Sequence, residues 1–209
     1  MRAHPKAILN PRKTPVQRRS AFTVQSLLEA TIQVLLKDGA DRLTTIRVAE
    51  RAGVSVGTLY QYYPNKQSLL FALVEQHLNS VSDAIKRACR ENHHQSLDNM
   101  AAGMTNALMD IKLDQADKAT ALYKVVSALD ASALIASNVN GVTSEIIAML
   151  KTLPKARVEK IESAVFVSYA AMAGAMRAVL EAGAPPKQVR ALREHLPLLV
   201  RSHWKAVLF

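Results

Sequence analysis

Between Leu43 and Lys66 the chain gathers side chains that can hydrogen-bond a partner: Thr44, Thr45 and Arg47, then Ser55, Thr58, Tyr60, Gln61 and Tyr62, then Lys66. This is not the equipment of a nucleophile, a general base or a metal site. Hydroxyls, phenols, a carboxamide and cations are what hydrogen-bond phosphate oxygens and base edges, and Gln pairs well with adenine. Val56 and Gly57 keep the region after Ser55 small, so a backbone there can come close to a duplex. Arg47 and Lys66 supply charge for phosphate.

Positioning these groups needs two short helices. Thr44 is a good N-cap, because its hydroxyl can accept a first-turn amide. A helix then runs from Thr45 to Ala52, with Ile46 and Ala49 on one face. Gly53 stands where a left-handed residue ends a helix most easily, and Val54 follows as an apolar plug. Ser55 caps a second helix through Tyr63, with Leu59 and Tyr63 turned to the core, and Pro64 stops it. Two helices joined by such a turn form a helix-turn-helix, whose second helix enters the major groove with its N-terminal residues leading.

Charge agrees with that chemistry. Residues 1–66 hold 11 Lys and Arg against 4 Asp and Glu, while the other 143 residues hold 16 against 13. The excess therefore sits with the helix-turn-helix, as an electrostatic footprint for DNA would. Six of the basic residues and three prolines, without one acid, lie in residues 1–20. This composition predicts a flexible arm, with Arg18 and Arg19 the best placed to reach DNA because they adjoin the folded part.

Residues 23–78 closely resemble the DNA-binding region of the TetR family of bacterial transcriptional repressors. The resemblance rests on TVQSLLEATIQVLLKDG followed by LTTIRVAERAGVSVGTLYQYYPNKQSLL, and GVSVGTLYQYYPNK is its most specific part. It covers about a quarter of the chain. It implies an all-α fold, with a three-helix DNA-binding domain fused to a helical ligand-binding and dimerisation domain. It also implies repression, a near-palindromic double-stranded operator, a small-molecule inducer and a homodimer through the last two helices.

Beyond residue 80 the pattern is helical throughout. Asn65 caps a long helix from Lys66 to about Asn92, and helices follow at about Leu97–Lys112, Ala119–Ala128, Ala131–Leu150 and Ala156–Ala182, then from Pro185–Pro186 onward. Gly141 and Pro197 are candidate kinks. The 156–182 helix carries one stripe of large residues and a second of small ones: Ala164, Ser168, Ala171, Ala175 and Ala178. A helix apolar nearly all round is buried on several sides, so the small stripe is the expected contact with a second subunit. Met100, Met104, Leu108, Tyr123, Val126, Phe166, Tyr169 and Met172 are the candidate walls of a pocket for an apolar or aromatic ligand. Asp130 and Arg177 are its candidate polar anchors.

The resulting division is a basic arm (1–20), a DNA reader (21–66) and a regulatory domain (67–209). No HExxH, phosphate loop or GxSxG is present, so no enzyme and no cofactor are expected. Cys89 and His93 make at most half a metal site. The single cysteine suits a reducing cytosol. The longest charge-free apolar segment, Ala164 to Met176, is shorter than the ~18 residues of a membrane span. A cytoplasmic bacterial regulator is therefore expected, with a DNA-binding architectural protein lacking any small-molecule input as the alternative.

Overall fold

The computed structural model describes residues 18–209 together with Leu9, and the described residues contain helices and no strand. The arm expected at residues 1–20 lies outside them up to residue 17, Leu9 apart. The helices are α1 (Arg18–Arg42), α2 (Thr45–Ala52), α3 (Val56–Tyr62), α4 (Lys66–Glu91), α5 (Leu97–Leu113), α6 (Ala116–Ala128), α7 (Ser132–Leu150), α8 (Ile161–Glu181) and α9 (Pro186–Leu208), with a 3₁₀ turn at Val158–Lys160. They divide into two compact units. One holds residues up to His77 together with Ala121–Ala131, and the other holds Leu78–Thr120 and Ser132–Phe209.

In the first unit α1 starts at Arg18, inside the stretch read as a basic arm, so Arg18 and Arg19 belong to a helix. Gly39 is left-handed in φ (79°), and the helical path breaks there. The Gln76 amide donates to Gln25 at 2.9 Å, and the Lys66 ammonium donates to the carbonyl of Ala40 at 2.7 Å. Together these contacts set α1 antiparallel to α4. Leu27, Leu35, Leu43, Val48, Leu59, Leu69 and Leu73 form the core beneath, each almost completely buried. Asn65 caps α4 as expected: its side-chain oxygen accepts from the Ser68 amide at 2.7 Å, and the Ser68 hydroxyl returns to the Asn65 carbonyl at 2.8 Å.

In the second unit α5 runs antiparallel to α9, as Asp98–Arg201 (2.5 Å) and Asp110–Arg193 (2.6 Å) show. Such exposed pairs contribute only about 0–1 kcal/mol each. The stability comes from what they flank, where Met100, Met104, Met172, Met176, Leu196, Val200 and Trp204 are all buried. Trp204 donates its indole N–H to the Ser168 hydroxyl at 3.0 Å. That contact explains a serine in the small stripe of α8, which the structure divides: Ala171 and Ala175 are half-buried and Ala178 is exposed. Ala164 and Ser168 are about 1% exposed inside the subunit, whereas Phe166, Val167, Ala170, Ala173 and Gly174 face outward.

Both candidate kink positions lie within continuous helix. α7 runs unbroken through Gly141, where an added Cβ would meet the Lys86 ammonium at 2.9 Å, so this glycine makes room for a neighbour. α9 continues past Pro197. α7 and the Val158–Glu181 segment are each long and apolar enough to cross a membrane, a property the charge-free window had not revealed. Each buries one side in this unit, through Ile146 and Met149 in α7 and Val165 and Met172 in α8.

Candidate nucleic-acid interface

The helix-turn-helix is built by its caps. The Thr44 hydroxyl accepts from the Arg47 amide at 3.3 Å and opens α2. Gly53 closes α2 at φ 68°, its amide shared between the carbonyls of Ala49 and Glu50. The Ser55 hydroxyl accepts from the Thr58 amide at 3.0 Å and lies 2.8 Å from the Thr58 hydroxyl. The helices are also tied to one another, because the hydroxyls of Thr45 and Tyr60 are 3.1 Å apart. Those two side chains, expected as separate contacts, hold α3 to α2.

The outer face of α3 is Gly57, Tyr60 and Gln61, with Ser55 exposed at its start. An added Cβ on Gly57 would meet only the Ser55 hydroxyl, at 3.7 Å. The position is therefore open toward solvent, as a groove-entering helix requires. Val56, Thr58 and Tyr62 are half-buried flanks of that face, and Leu59 and Tyr63 are buried as expected. Burial, and secondarily the charge of Glu75, push the Tyr63 phenol up to about 12.

The two expected cations are placed differently. Lys66 is half-buried and bonded to Ala40, leaving two of its three N–H groups for another acceptor. Arg47 turns to α1, where its guanidinium meets Asp38 at 3.2 Å and the Arg42 carbonyl at 3.3 Å. There, with Gln33, Val34, Lys37, Asp38, Glu50 and Arg51, it lines an open groove of about 580 Å³ on the far flank of α2. Arg47 therefore does not join the face formed by Thr44, Thr45, Tyr60 and Gln61. The sequence reading missed that groove. It also missed Ile46, which is 56% exposed rather than packed with Ala49. Helical spacing was the available signal: Val48, Ala49 and Ala52 already fill the one side that an eight-residue helix can bury.

The pocket residues are likewise divided. Met100, Met104, Leu108 and Met172 are buried together in the second unit, and Tyr169 is half-buried there. Phe166 does not join them. It is 73% exposed, one residue round the helix from buried Val165. Tyr123 and Val126 are half-buried in α6, in the stretch grouped with the first unit.

Two family models match the chain. The model of bacterial regulatory proteins of the tetR family covers residues 27–73, and the tetracyclin repressor-like C-terminal domain covers residues 96–203. The chain belongs to the tetR family. Its relatives include the nucleoid occlusion factor SlmA of Actinobacillus pleuropneumoniae serotype 5b, 29% identical over 118 residues, 56% of this chain and 53% of that protein. The transcriptional repressor KstR of Mycolicibacterium smegmatis is 37% identical over 62 residues, 30% of each chain. These matches thus span about half the length of the curated relatives or less. Among solved structures, SmeT, the repressor of the Stenotrophomonas maltophilia multidrug efflux pump SmeDEF, aligns with a TM-score of 0.66 at 16% identity, covering 90% of this chain and 93% of its own. A tetR-family regulator from Streptomyces coelicolor aligns at 0.69 and 16%, covering 88% and 81%. At such identity these two share the fold. Membership of the family places the chain among bacterial regulatory proteins.

Proposed function

We propose that this regulator is a cytoplasmic homodimeric repressor that leaves a near-palindromic operator when a small apolar or aromatic molecule binds its C-terminal domain. The observation that carries the DNA reading is the continuous face of Thr44, Thr45, Ser55, Gly57, Thr58, Tyr60 and Gln61. Their hydroxyls and single carboxamide project from two capped helices locked by the Thr45–Tyr60 contact. Lys66 adds a phosphate contact beside that face. Arg18 and Arg19, in the first turn of α1, are further candidate contacts with DNA.

Support for the dimer is the outward apolar face of α8 (Phe166, Val167, Ala170, Ala173, Gly174) and the exposed Leu198 and Leu199 of α9. Support for an apolar ligand is the methionine-rich centre of the second unit, since methionine adapts to varied shapes. α4 contributes residues to both units as one helix, and it is the element that would carry the signal between them. A ligand that prefers the non-binding form a hundredfold supplies about 2.7 kcal/mol per site, enough for a large change in operator occupancy. The reader begins near residue 21 and the regulatory domain follows from α4.

Selection of bound duplexes from a randomised pool tests the reading. The expected product is a two-fold sequence with half-sites one helical turn or somewhat more apart. Gln61→Ala should change which duplexes are enriched. Enrichment of unrelated sequences with equal affinity would instead favour an architectural DNA-binding protein.

A further inference from the structure

We propose that Ile46 is a base-reading residue, recognising the C5 methyl group of a thymine in the major groove. The inference rests on the reading that the helix-turn-helix meets DNA, and it deepens that reading by assigning a specificity contact to α2.

The placement follows from the partners of α2. Val48 and Ala49 are buried beneath the helix. Thr45 leans to α3 through Tyr60. Arg47 and Arg51 lean to α1, through Asp38 at 3.2 Å and Gln33 at 2.6 Å. Successive helical residues are turned by about 100°, so Ile46 falls between the Thr45 side, which meets α3, and the Glu50–Arg47 side, which lines the α1 groove. It is 56% exposed, next in the chain to Thr45 and beside the surface continued by Tyr60 and Gln61.

A single exposed isoleucine is ordinary on a protein surface. This one borders a face whose other side chains all offer hydrogen bonds. A duplex presents phosphates, polar base edges and one apolar group in the major groove, the thymine methyl. A branched aliphatic side chain cannot bond the first two, but it can cover the third. Ile46 would then contribute sequence preference without any ionic contribution to affinity.

The experiment uses the full chain and an operator obtained by selection from random duplex DNA. Each symmetric pair of thymines is replaced by deoxyuridine, which removes only the methyl groups, and the Kd is measured. At about 0.8 kcal/mol per buried methyl, one pair should weaken wild-type binding roughly fourfold per half-site, or about fifteenfold for both. Ile46→Ala should show no penalty at that pair, while its salt dependence and thermal midpoint stay at wild-type values. The inference is overturned if no thymine pair carries a penalty, if Ile46→Ala retains the penalty, or if the variant melts several degrees lower, which would make Ile46 a packing residue. Failure to enrich any operator would sink the DNA reading itself.

Discussion

Lys66 illustrates how much a side chain's partners change what its type suggests. Sequence marks it as a phosphate contact, but its bond to Ala40 also fastens the start of α4 to the end of α1. A hydrogen bond from a charged donor contributes about 1.5–3 kcal/mol. Lys66→Met should therefore lower both stability and operator affinity, whereas substitution of a purely external lysine would lower affinity alone. Urea unfolding and a salt titration of DNA binding, run on the same variant, separate the two effects. Cys89 makes a second residue-scale case. Burial first, and then Glu145, raise its thiol to about 12, although Arg90 opposes them. The thiol should not react with a disulfide reagent at pH 8 until the protein unfolds. Because the folded value is raised, the unfolded chain loses this proton first. The associated stability is present below about pH 9 and declines from there toward 12. Urea midpoints of wild type and Cys89→Ala should therefore converge with rising pH across that window, and parallel curves would count against it.

Elements were legible wherever a cap or a stop was written locally. Thr44, Gly53, Ser55 and Asn65 set the ends of α2 and the starts of α3 and α4, because each bonds backbone groups within three or four residues of itself: the three side chains accept from amides, and the Gly53 amide donates to carbonyls. Asn65→Ala should cost about 1 kcal/mol by loosening the first turn of α4, read as a lower urea midpoint, while Asn65→Asp should keep most of it. Facing was less legible than extent. The α8 small stripe was assigned outward, yet Ser168 is turned in by Trp204, 36 residues away in the chain. Ile46 and Arg47 were misplaced for the same reason, since which side of α2 meets α1 depends on the Asp38 and Gln33 contacts. The start of α1 was set too late because basic residues were read as arm, although nothing in Arg18–Ser20 opposes helix.

At the scale of the molecule, the reader and the regulatory part were foreseeable from one motif and a change in charge. The tertiary grouping was not, because it places Ala121–Ala131 with the N-terminal unit against sequence order. The proposed dimer makes a prediction here. A two-fold interface meets itself, so one charge enters twice, and Ala170→Arg on the outward face of α8 should give monomers with sharply weakened operator binding. Sedimentation velocity would show the shift, and a dimer that persisted would move the interface off α8. The Trp204–Ser168 contact has one more consequence. Trp204 is the single tryptophan of the chain and is fully buried in the second unit. Its emission is therefore a built-in optical reporter of that unit alone, silent about the reading head. Helicity measured by circular dichroism reports both units. If the two signals lose their native values at the same urea concentration, the molecule melts as one cooperative body. If they part, the regulatory half has a melting transition of its own, followed without a label.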